Sequence, residues 1–179
     1  MIIKKLNDIS KIPGAIITFQ DEVHFMAETS VTSMWALKGS KPKVKSYPRK
    51  DKISYSGFVI PSTGKLFTHK PSWFNYETTI ESIRSFLREC PAPEGHKYYM
   101  VMDNAPWHKK AKRLIKENLN GEYSDINDQV VFVYLPFYSP DLNPIEQVWR
   151  VTRREGKHNR FFADSKELET ALDSYYEIG

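Results

Sequence analysis

Apolar and polar positions alternate along this chain in short runs separated by proline- and glycine-containing segments. Alternating or continuous apolar runs predict strands at residues 15–19, 33–37, 53–60, 65–69, 97–101 and 130–135. Apolar residues at helical spacing predict helices at residues 75–90 and 106–119, from residue 144, and from residue 164. An antiparallel meander of three strands followed by alternating helices and strands predicts an α/β fold, with a mixed sheet and helices on both faces.

Composition, charge and cysteine content limit the classes of protein to which this chain can belong. A length of 179 residues fits one domain, with residues 1–13 as an arm or remnant and 14–179 as the domain. Lys and Arg total 26 against 22 acidic residues, a net charge of +4 that suits a polyanionic partner. The single cysteine, Cys90, excludes an internal disulfide and a cysteine-built zinc site. No targeting sequence or membrane span is apparent, which predicts a cytoplasmic protein without a membrane partner.

Carboxylates occur at the carboxyl ends of three predicted strands, or just beyond them. These are Asp21, Asp103 and Glu146. Alternation along the first strand places Asp21 on the face of Phe19 and Glu22 on the opposite face, so Asp21 is the preferred ligand. Carboxylates gathered at one edge of a sheet repel each other unless cations lie between them. Such a set suits Mg²⁺, which prefers a few carboxylates together with water and phosphate oxygens.

The start of the helix that contains Glu146 is defined by its sequence. Asn143 is a favoured N-cap, Pro144 suits the first helical position, and Glu146 three residues after the cap can close a capping box. Local chemistry therefore holds Glu146 in the first helical turn. On this evidence alone, the preferred interpretation of Glu146 is a capping residue that stabilises the helix end.

Two motifs resemble a known family. The motif DNAPWH at residues 103–108 and the motif LPFYSPDLNPIEQVW at residues 135–149 are similar to the catalytic domain of DDE transposases, in the prokaryotic insertion-sequence branch of the mariner-like superfamily. The resemblance extends from residue 16 to residue 157. It implies a ribonuclease-H-like fold, with Asp21, Asp103 and Glu146 as the catalytic, metal-binding triad.

The chain departs from the family pattern at two places. Family members carry DNA-recognition helices ahead of the catalytic domain, and residues 1–13 are too short for a helix-turn-helix region, which we therefore expect to be absent. Between Asp103 and Glu146 lie 42 residues. The family spacing is shorter, which places an insertion at residues 118–129, where added loop length costs little.

Further residues are expected to support the triad or to contact DNA. Asn104, His108 and Asn143 are expected to support the three carboxylates from behind. Basic residues cluster in a predicted hairpin at residues 38–52, on one face of the helix at residues 106–119, and on the stripe that follows Glu146. The expected DNA-binding residues are Lys38, Lys41, Lys43, Lys45, Arg49, Lys109, Lys112, Arg113, Arg150, Arg153 and Lys157.

The resemblance implies a two-metal mechanism of DNA strand cleavage and strand transfer. Asp21 would bridge two Mg²⁺ or Mn²⁺ ions, with Asp103 completing one site and Glu146 the other. The implied partners are transposon ends and target DNA, bound by a homodimer, with no small-molecule cofactor. Two alternatives stay open: a nuclease or junction resolvase on the same fold, and an inactive DNA-binding remnant.

Overall fold

The strands form one mixed sheet in which two of the neighbouring pairs are parallel. The computed structural model describes residues 2–46, 48 and 50–178, with side chains through residue 176. The strands are β1 (Ala15–Met26), β2 (Lys52–Ile60), β3 (Lys65–His69), β4 (Lys97–Met102) and β5 (Val130–Tyr134). They lie in the order β3-β2-β1-β4-β5, with β2 and β3 antiparallel and with β4 parallel to both β1 and β5. The predicted mixed sheet is confirmed.

The four predicted helices are observed, together with two short helices at residues 2–9 and 124–127. They are α1 (Ile2–Ile9), α2 (Tyr76–Glu89), α3 (Pro106–Glu117), α4 (Ser124–Asn127), α5 (Ile145–Val151) and α6 (Ser165–Ile178). A π-helix, Thr152–Lys157, continues α5, and 3₁₀ turns occupy Leu119–Gly121 and Pro140–Leu142. None of these described helices has the length and apolarity needed to cross a bilayer.

The chain divides into two units. The first comprises Met1–Val23 and Tyr55–Glu146, and the second comprises His24–Ser54 and Gln147–Gly179. All three predicted triad residues belong to the first unit.

The core of the first unit lies between the sheet and α2. Asn75 caps α2 through its side chain, which accepts from the Thr78 backbone N–H at 2.8 Å, as its sequence predicts. Apolar side chains at helical spacing then face the sheet, and the Phe86 ring stacks on Phe58 with centroids 4.6 Å apart. Met100 is fully buried, as expected for a central strand covered on both faces. This packing fixes β4, and therefore the backbone that leads to Asp103.

The predicted insertion at residues 118–129 is partly structured. It contains a 3₁₀ turn and α4, and the Ile126 side chain is completely buried. Arg84 of α2 pairs with Asp125 at 2.8 Å. The helix predicted at residues 106–119 ends at Glu117, and Leu119 is exposed.

The second unit contains the main difference from the predicted elements. Residues 27–46 form no strand, so the strand predicted at residues 33–37 is wrong. The Trp149 ring is buried and makes an edge contact with Phe25, at a centroid distance of 6.3 Å. Beyond α5, the π-helix changes the spacing of side chains, because a π-turn holds more residues than an α-turn. The α-helical stripe predicted through Lys157 therefore ends at Val151.

Candidate active site

The three predicted triad residues line one cleft of about 340 Å³. Asp21 lies on β1, Asp103 follows β4 directly, and Glu146 lies in the first turn of α5. Phe19 pairs with Val101 in the parallel register, so Asp21 and Asp103, each two residues further along, lie level and on the same face. The strand register thus brings these two carboxylates to one edge of the sheet.

Asp103 is a half-exposed carboxylate that is held on one oxygen. Its Oδ1 accepts hydrogen bonds from the Ala105 backbone N–H at 2.9 Å and from His108 Nδ1 at 2.6 Å. Its Oδ2 has no partner among the described residues. Burial raises the pKa of Asp103, but these two hydrogen bonds and the charges of His108 and Lys109 outweigh that effect and lower the pKa below its ordinary value. Asp103 is therefore ionised at neutral pH, with one oxygen available to a ligand.

His108 lies behind Asp103, where it is 1% exposed. Its Nδ1 bonds to Asp103, and its Nε2 bonds to Glu22 Oε1 at 3.2 Å. Burial lowers the pKa of His108, but the hydrogen bonds and charges of the two carboxylates outweigh burial and raise the pKa to about 9. The imidazolium therefore bridges two carboxylates and holds one oxygen of Asp103.

Glu22 serves the network behind Asp103. Its side chain is 6% exposed and accepts hydrogen bonds from Trp107 Nε1 at 2.9 Å and from His108. The neighbouring residue, Asp21, lines the cleft instead. This division follows the two-residue period of a strand, in which neighbouring side chains point to opposite faces. The sequence did not indicate the pairing of Glu22 with Trp107 and His108.

Asn104 does not bond to Asp103, contrary to the expectation that it orients this carboxylate. Its Nδ2 donates to the Leu135 backbone carbonyl at 2.6 Å, and the Leu135 backbone N–H donates to Met102 O at 2.9 Å. Asn104 thus ties the end of β4 to the segment that follows β5. It supports the shape of the cleft rather than the position of the carboxylate.

The helix that carries Glu146 starts without the predicted capping box. Asn143 accepts the Glu146 backbone N–H through its main-chain oxygen at 3.1 Å, and α5 begins at Ile145 rather than at Pro144. The Asn143 side chain is buried and lines the cleft, and its Oδ1 has no hydrogen-bond partner among the described residues. A buried amide oxygen of this kind is costly unless a ligand or water satisfies it.

The donors in the cleft suit a hard cation. Among the described residues, no three His, Cys, Asp or Glu side chains come close enough to hold one ion between them. Mg²⁺ keeps several waters and is commonly held by one or two carboxylates, so its ligands need not converge on one point. The carboxylates of Asp21, Asp103 and Glu146, which line the cleft, are oxygen ligands of the kind that suits such a hydrated ion.

The predicted cations of α3 are accessible to different degrees. Lys109 is exposed, and its ammonium lies 4.9 Å from the centre of the Phe137 ring. Lys112 is partly exposed and lies 4.8 Å from the Tyr134 ring centre. Arg113 is exposed and pairs at 3.8 Å with a glutamate one turn later. These three side chains stand on the surface of the unit that holds the triad.

The basic segment of the second unit has irregular backbone. Lys38, Lys41 and Lys43 are exposed, and the Lys45 ammonium lies 4.7 Å from the centre of a phenylalanine ring. The described residues of this segment form no hairpin, contrary to the expectation. Arg49 lies outside the described residues.

Of the cations after Glu146, Lys157 differs from its predicted role. Arg150 is exposed, and the Arg153 guanidinium lies 5.6 Å from the Phe25 ring centre. Lys157 is 5% exposed, and its ammonium donates to the Glu28 carbonyl and to a serine hydroxyl, both at 2.6 Å. Burial lowers the pKa of Lys157. Its geometry is that of an internal tie, so it is not available as the predicted phosphate contact.

Comparison with known proteins places the chain in a family. It matches the DDE superfamily endonuclease family over residues 16–169. An uncharacterized protein of Sinorhizobium fredii, y4pE/y4sA, is 30% identical over 114 residues, which are 64% of this chain and 75% of that protein.

Solved structures show a similar fold. A pre-cleavage Mos1 transpososome matches with a TM-score of 0.64 and 14% identity, over 99% of this chain and 52% of the Mos1 chain. The Mos1 mariner paired end complex with Mn matches with a TM-score of 0.60 and 20% identity, over 91% and 48%. The chain thus spans about half the length of the Mos1 chains that it matches. These likenesses confirm the predicted ribonuclease-H-like fold, and the family match over most of the sequence shows that the chain belongs to the DDE superfamily endonuclease family.

Proposed function

We propose that this chain is the catalytic domain of a DNA transposase, which cleaves DNA strands and transfers a transposon end to target DNA. The observation that carries the proposal is the cleft in which Asp21, Asp103 and Glu146 meet, in a chain of this family. The Mos1 structures of similar fold include a strand transfer complex and a paired-end complex with the left transposon end. No serine or tyrosine nucleophile is required for this chemistry.

The proposed cofactor is a pair of Mg²⁺ or Mn²⁺ ions held by Asp21, Asp103 and Glu146. When bound, two such ions activate the attacking oxygen and stabilise the leaving oxygen of an in-line phosphoryl transfer. Mos1 paired end complexes have been solved with Mn and with Mg. The three carboxylates that line the cleft are the support within this chain for the same choice of metal.

The protein residues prepare the cleft for a charged ligand. His108 and the Ala105 backbone N–H hold Asp103 by one oxygen, which keeps the carboxylate ionised and limits its rotation. The Asn143 side chain lines the same cleft, and its buried amide oxygen has no hydrogen-bond partner among the described residues, so we propose that it accepts from an ordered water. Preorganised groups of this kind act without reorganisation at the moment of reaction.

The proposed macromolecular partner is DNA, as transposon ends and target. The exposed cations of α3 are the best-supported contacts in the first unit, namely Lys109, Lys112 and Arg113. In the second unit we retain the exposed and partly exposed cations of the proposed set: Lys38, Lys41, Lys43, Lys45, Arg150 and Arg153. Such contacts are independent of sequence and weaken as salt rises. A homodimer that pairs two ends is part of the same proposal.

Plasmid nicking tests the catalytic centre. Wild type and Asp103→Asn are compared on supercoiled plasmid at low salt with Mg²⁺ or Mn²⁺, with Asp128→Asn as the matched control because Asp128 is exposed and does not line the cleft. We expect nicking by wild type and by the control, and none by Asp103→Asn, which keeps its fold. Equal metal-dependent nicking by all three proteins would refute the assignment.

Analysis of the products separates strand transfer from simple hydrolysis. A transposase joins a DNA 3′ hydroxyl to a target strand, so a labelled oligonucleotide becomes covalently attached to the plasmid. Cleavage without joined products would favour the alternative function, a nuclease or resolvase on the same fold.

A further inference from the structure

Two aromatic rings stand exposed at the edge of the triad cleft. Phe137 and Tyr138 line the cleft together with the three carboxylates, and they are 67% and 101% exposed. Large apolar side chains with this exposure bury little surface and so contribute little to the stability of the fold. Their position beside the proposed reaction centre indicates that they bind a ligand with a flat apolar face.

The backbone at Tyr138 is unusual. Its φ angle is +56°, in the left-handed region that residues other than glycine seldom adopt. Glycine or asparagine is the usual choice for such a position, and a bulky aromatic residue there is strained. A strained backbone that projects a fully exposed ring indicates a role outside the folding of the chain.

The loop that carries Tyr138 is anchored at both ends. On one side, Leu135 is bonded to β4 and to Asn104. On the other side, the Asn143 backbone N–H donates to Pro140 O at 2.8 Å. Pro136 and Pro140 further restrict the intervening backbone. The ring is therefore presented from a short, restrained loop, which reduces the entropy lost when a ligand binds.

Phe137 and Tyr138 differ in their surroundings. The ammonium of Lys109 covers the Phe137 ring at 4.9 Å. Tyr138 has no hydrogen bond or ring contact to any other described residue. Both faces of the Tyr138 ring are therefore available to a ligand.

We propose that Tyr138 stacks on an unstacked nucleobase next to the phosphodiester that enters the cleft, and so positions the reacting strand. The inference rests on the proposed function, because the DNA backbone must approach the three carboxylates for its adjacent base to reach the ring. Stacking on an aromatic side chain tolerates every base, since each base has a π face. Lys109 lies close enough to attract the neighbouring phosphate.

The test uses a nicked DNA duplex with 5-iodouracil at the nick, where a base can leave the helix. Binding is measured by fluorescence anisotropy, and photocrosslinks are located by peptide mass spectrometry, all in the Asp103→Asn background so that the strands stay intact. Tyr138→Phe keeps the ring, whereas Tyr138→Ala and Tyr138→Gly remove it. Trp73→Ala is the control, because Trp73 is an exposed aromatic residue that does not line the cleft.

We expect a crosslink at Tyr138 that Tyr138→Phe preserves and that Trp73→Ala does not change. Tyr138→Ala and Tyr138→Gly should lose the crosslink and bind at least about fivefold more weakly. Tyr138→Gly should unfold at the same temperature as the parent or higher, because glycine relieves the left-handed backbone. A loss of binding at undiminished stability excludes a structural explanation.

Full binding and crosslinking by Tyr138→Gly would overturn the proposal, as would failure of Tyr138→Phe to preserve them or absence of DNA binding by the parent. The nicking assay judges the proposed function separately. Tyr138-dependent binding without metal-dependent cleavage by wild type would retain the stacking and reject the catalytic function. Cleavage that is unchanged in the Tyr138 variants would retain the catalytic function and reject the stacking.

Discussion

Replacing Glu22 with alanine removes the acceptor shared by Trp107 and His108. Both donors then lose a partner, and a buried unsatisfied donor costs about 1–3 kcal/mol. Most of the loss arises at His108, which is 1% exposed, whereas the partly exposed indole of Trp107 can find water. Because His108 keeps its hydrogen bond to Asp103, its charge is not left without a partner, and we expect Glu22→Ala to lower the free energy of unfolding by about 1–3 kcal/mol.

The adjacent carboxylate should behave in the opposite way. Asp21 lines the cleft rather than the buried network, so Asp21→Asn should change the free energy of unfolding by less than about 1 kcal/mol and abolish nicking. Glu22→Gln keeps the shape of the side chain and should retain metal-dependent nicking at reduced stability. Two neighbouring residues thus separate into a structural and a catalytic role.

Urea unfolding followed by far-ultraviolet circular dichroism, at pH 7 with a chelator, gives the stabilities, and plasmid nicking gives the activities. Circular dichroism is preferred to tryptophan fluorescence because Trp107 belongs to the network. Two results would refute the reasoning. One is a free energy of unfolding of Glu22→Ala that lies within about 1 kcal/mol of the wild-type value. The other is nicking that is retained by Asp21→Asn but lost in folded Glu22→Gln.

Two further predictions concern the first unit. The pKa of His108 is about 9 in the folded chain against an ordinary 6.5, so the folded state keeps a proton that the unfolded state releases. Stability in metal-free buffer should therefore be greatest below pH 6.5 and fall by about 3 kcal/mol as the pH rises through about 9. His108→Gln should lose this slope in urea titrations, and a variant that kept it would assign the proton elsewhere. Gly14 and Gly64 both have positive φ, but a Cβ at Gly14 would lie 2.8 Å from a backbone oxygen, whereas at Gly64 it would meet open space. Gly64→Ala should cost about 1 kcal/mol and Gly14→Ala at least about 1 kcal/mol more in thermal unfolding; equal losses would contradict the predicted clash.

Local rules predicted much of the first unit. The cap at Asn75, the apolar stripe of α2 and the continuous apolar run of β4 each depend on neighbours in the sequence, and all three are observed. The placement of Asp21 and Asp103 at one edge also follows from strand alternation and a parallel register. These features were predictable because they require no knowledge of distant contacts.

Features that depend on distant partners were not predictable. Asn104 bonds to the carbonyl of Leu135, 31 residues away, which no local pattern indicates. Alternation at residues 33–37 predicted a strand, yet alternation cannot supply a neighbouring strand to pair with. The π-helix that ends at Lys157 altered a spacing that the sequence showed as regular, and it placed this predicted surface cation in a buried position.

Tyr138 shows another limit of sequence patterns. Its left-handed backbone arises within a segment bounded by two prolines, and the sequence contains no glycine there to signal a positive φ. Its exposure depends on the tertiary anchoring of the loop. A signal was nevertheless present, because two adjacent aromatic residues in a proline-bounded loop are unusual for a simple surface turn.

The alternation along β1 also determines which changes of length this protein can accept. A single-residue insertion or deletion before Asp21 would rotate the rest of the strand by one face, and would exchange Asp21 and Glu22 between the cleft and the buried network. Residues 118–129 lie between Asp103 and Glu146 and form turns and one short helix, so added residues there alter neither face of a strand. We therefore expect homologous chains to differ in length after α3 while the distance from the start of β1 to Asp21 stays fixed, even where the apolar residues between them are exchanged.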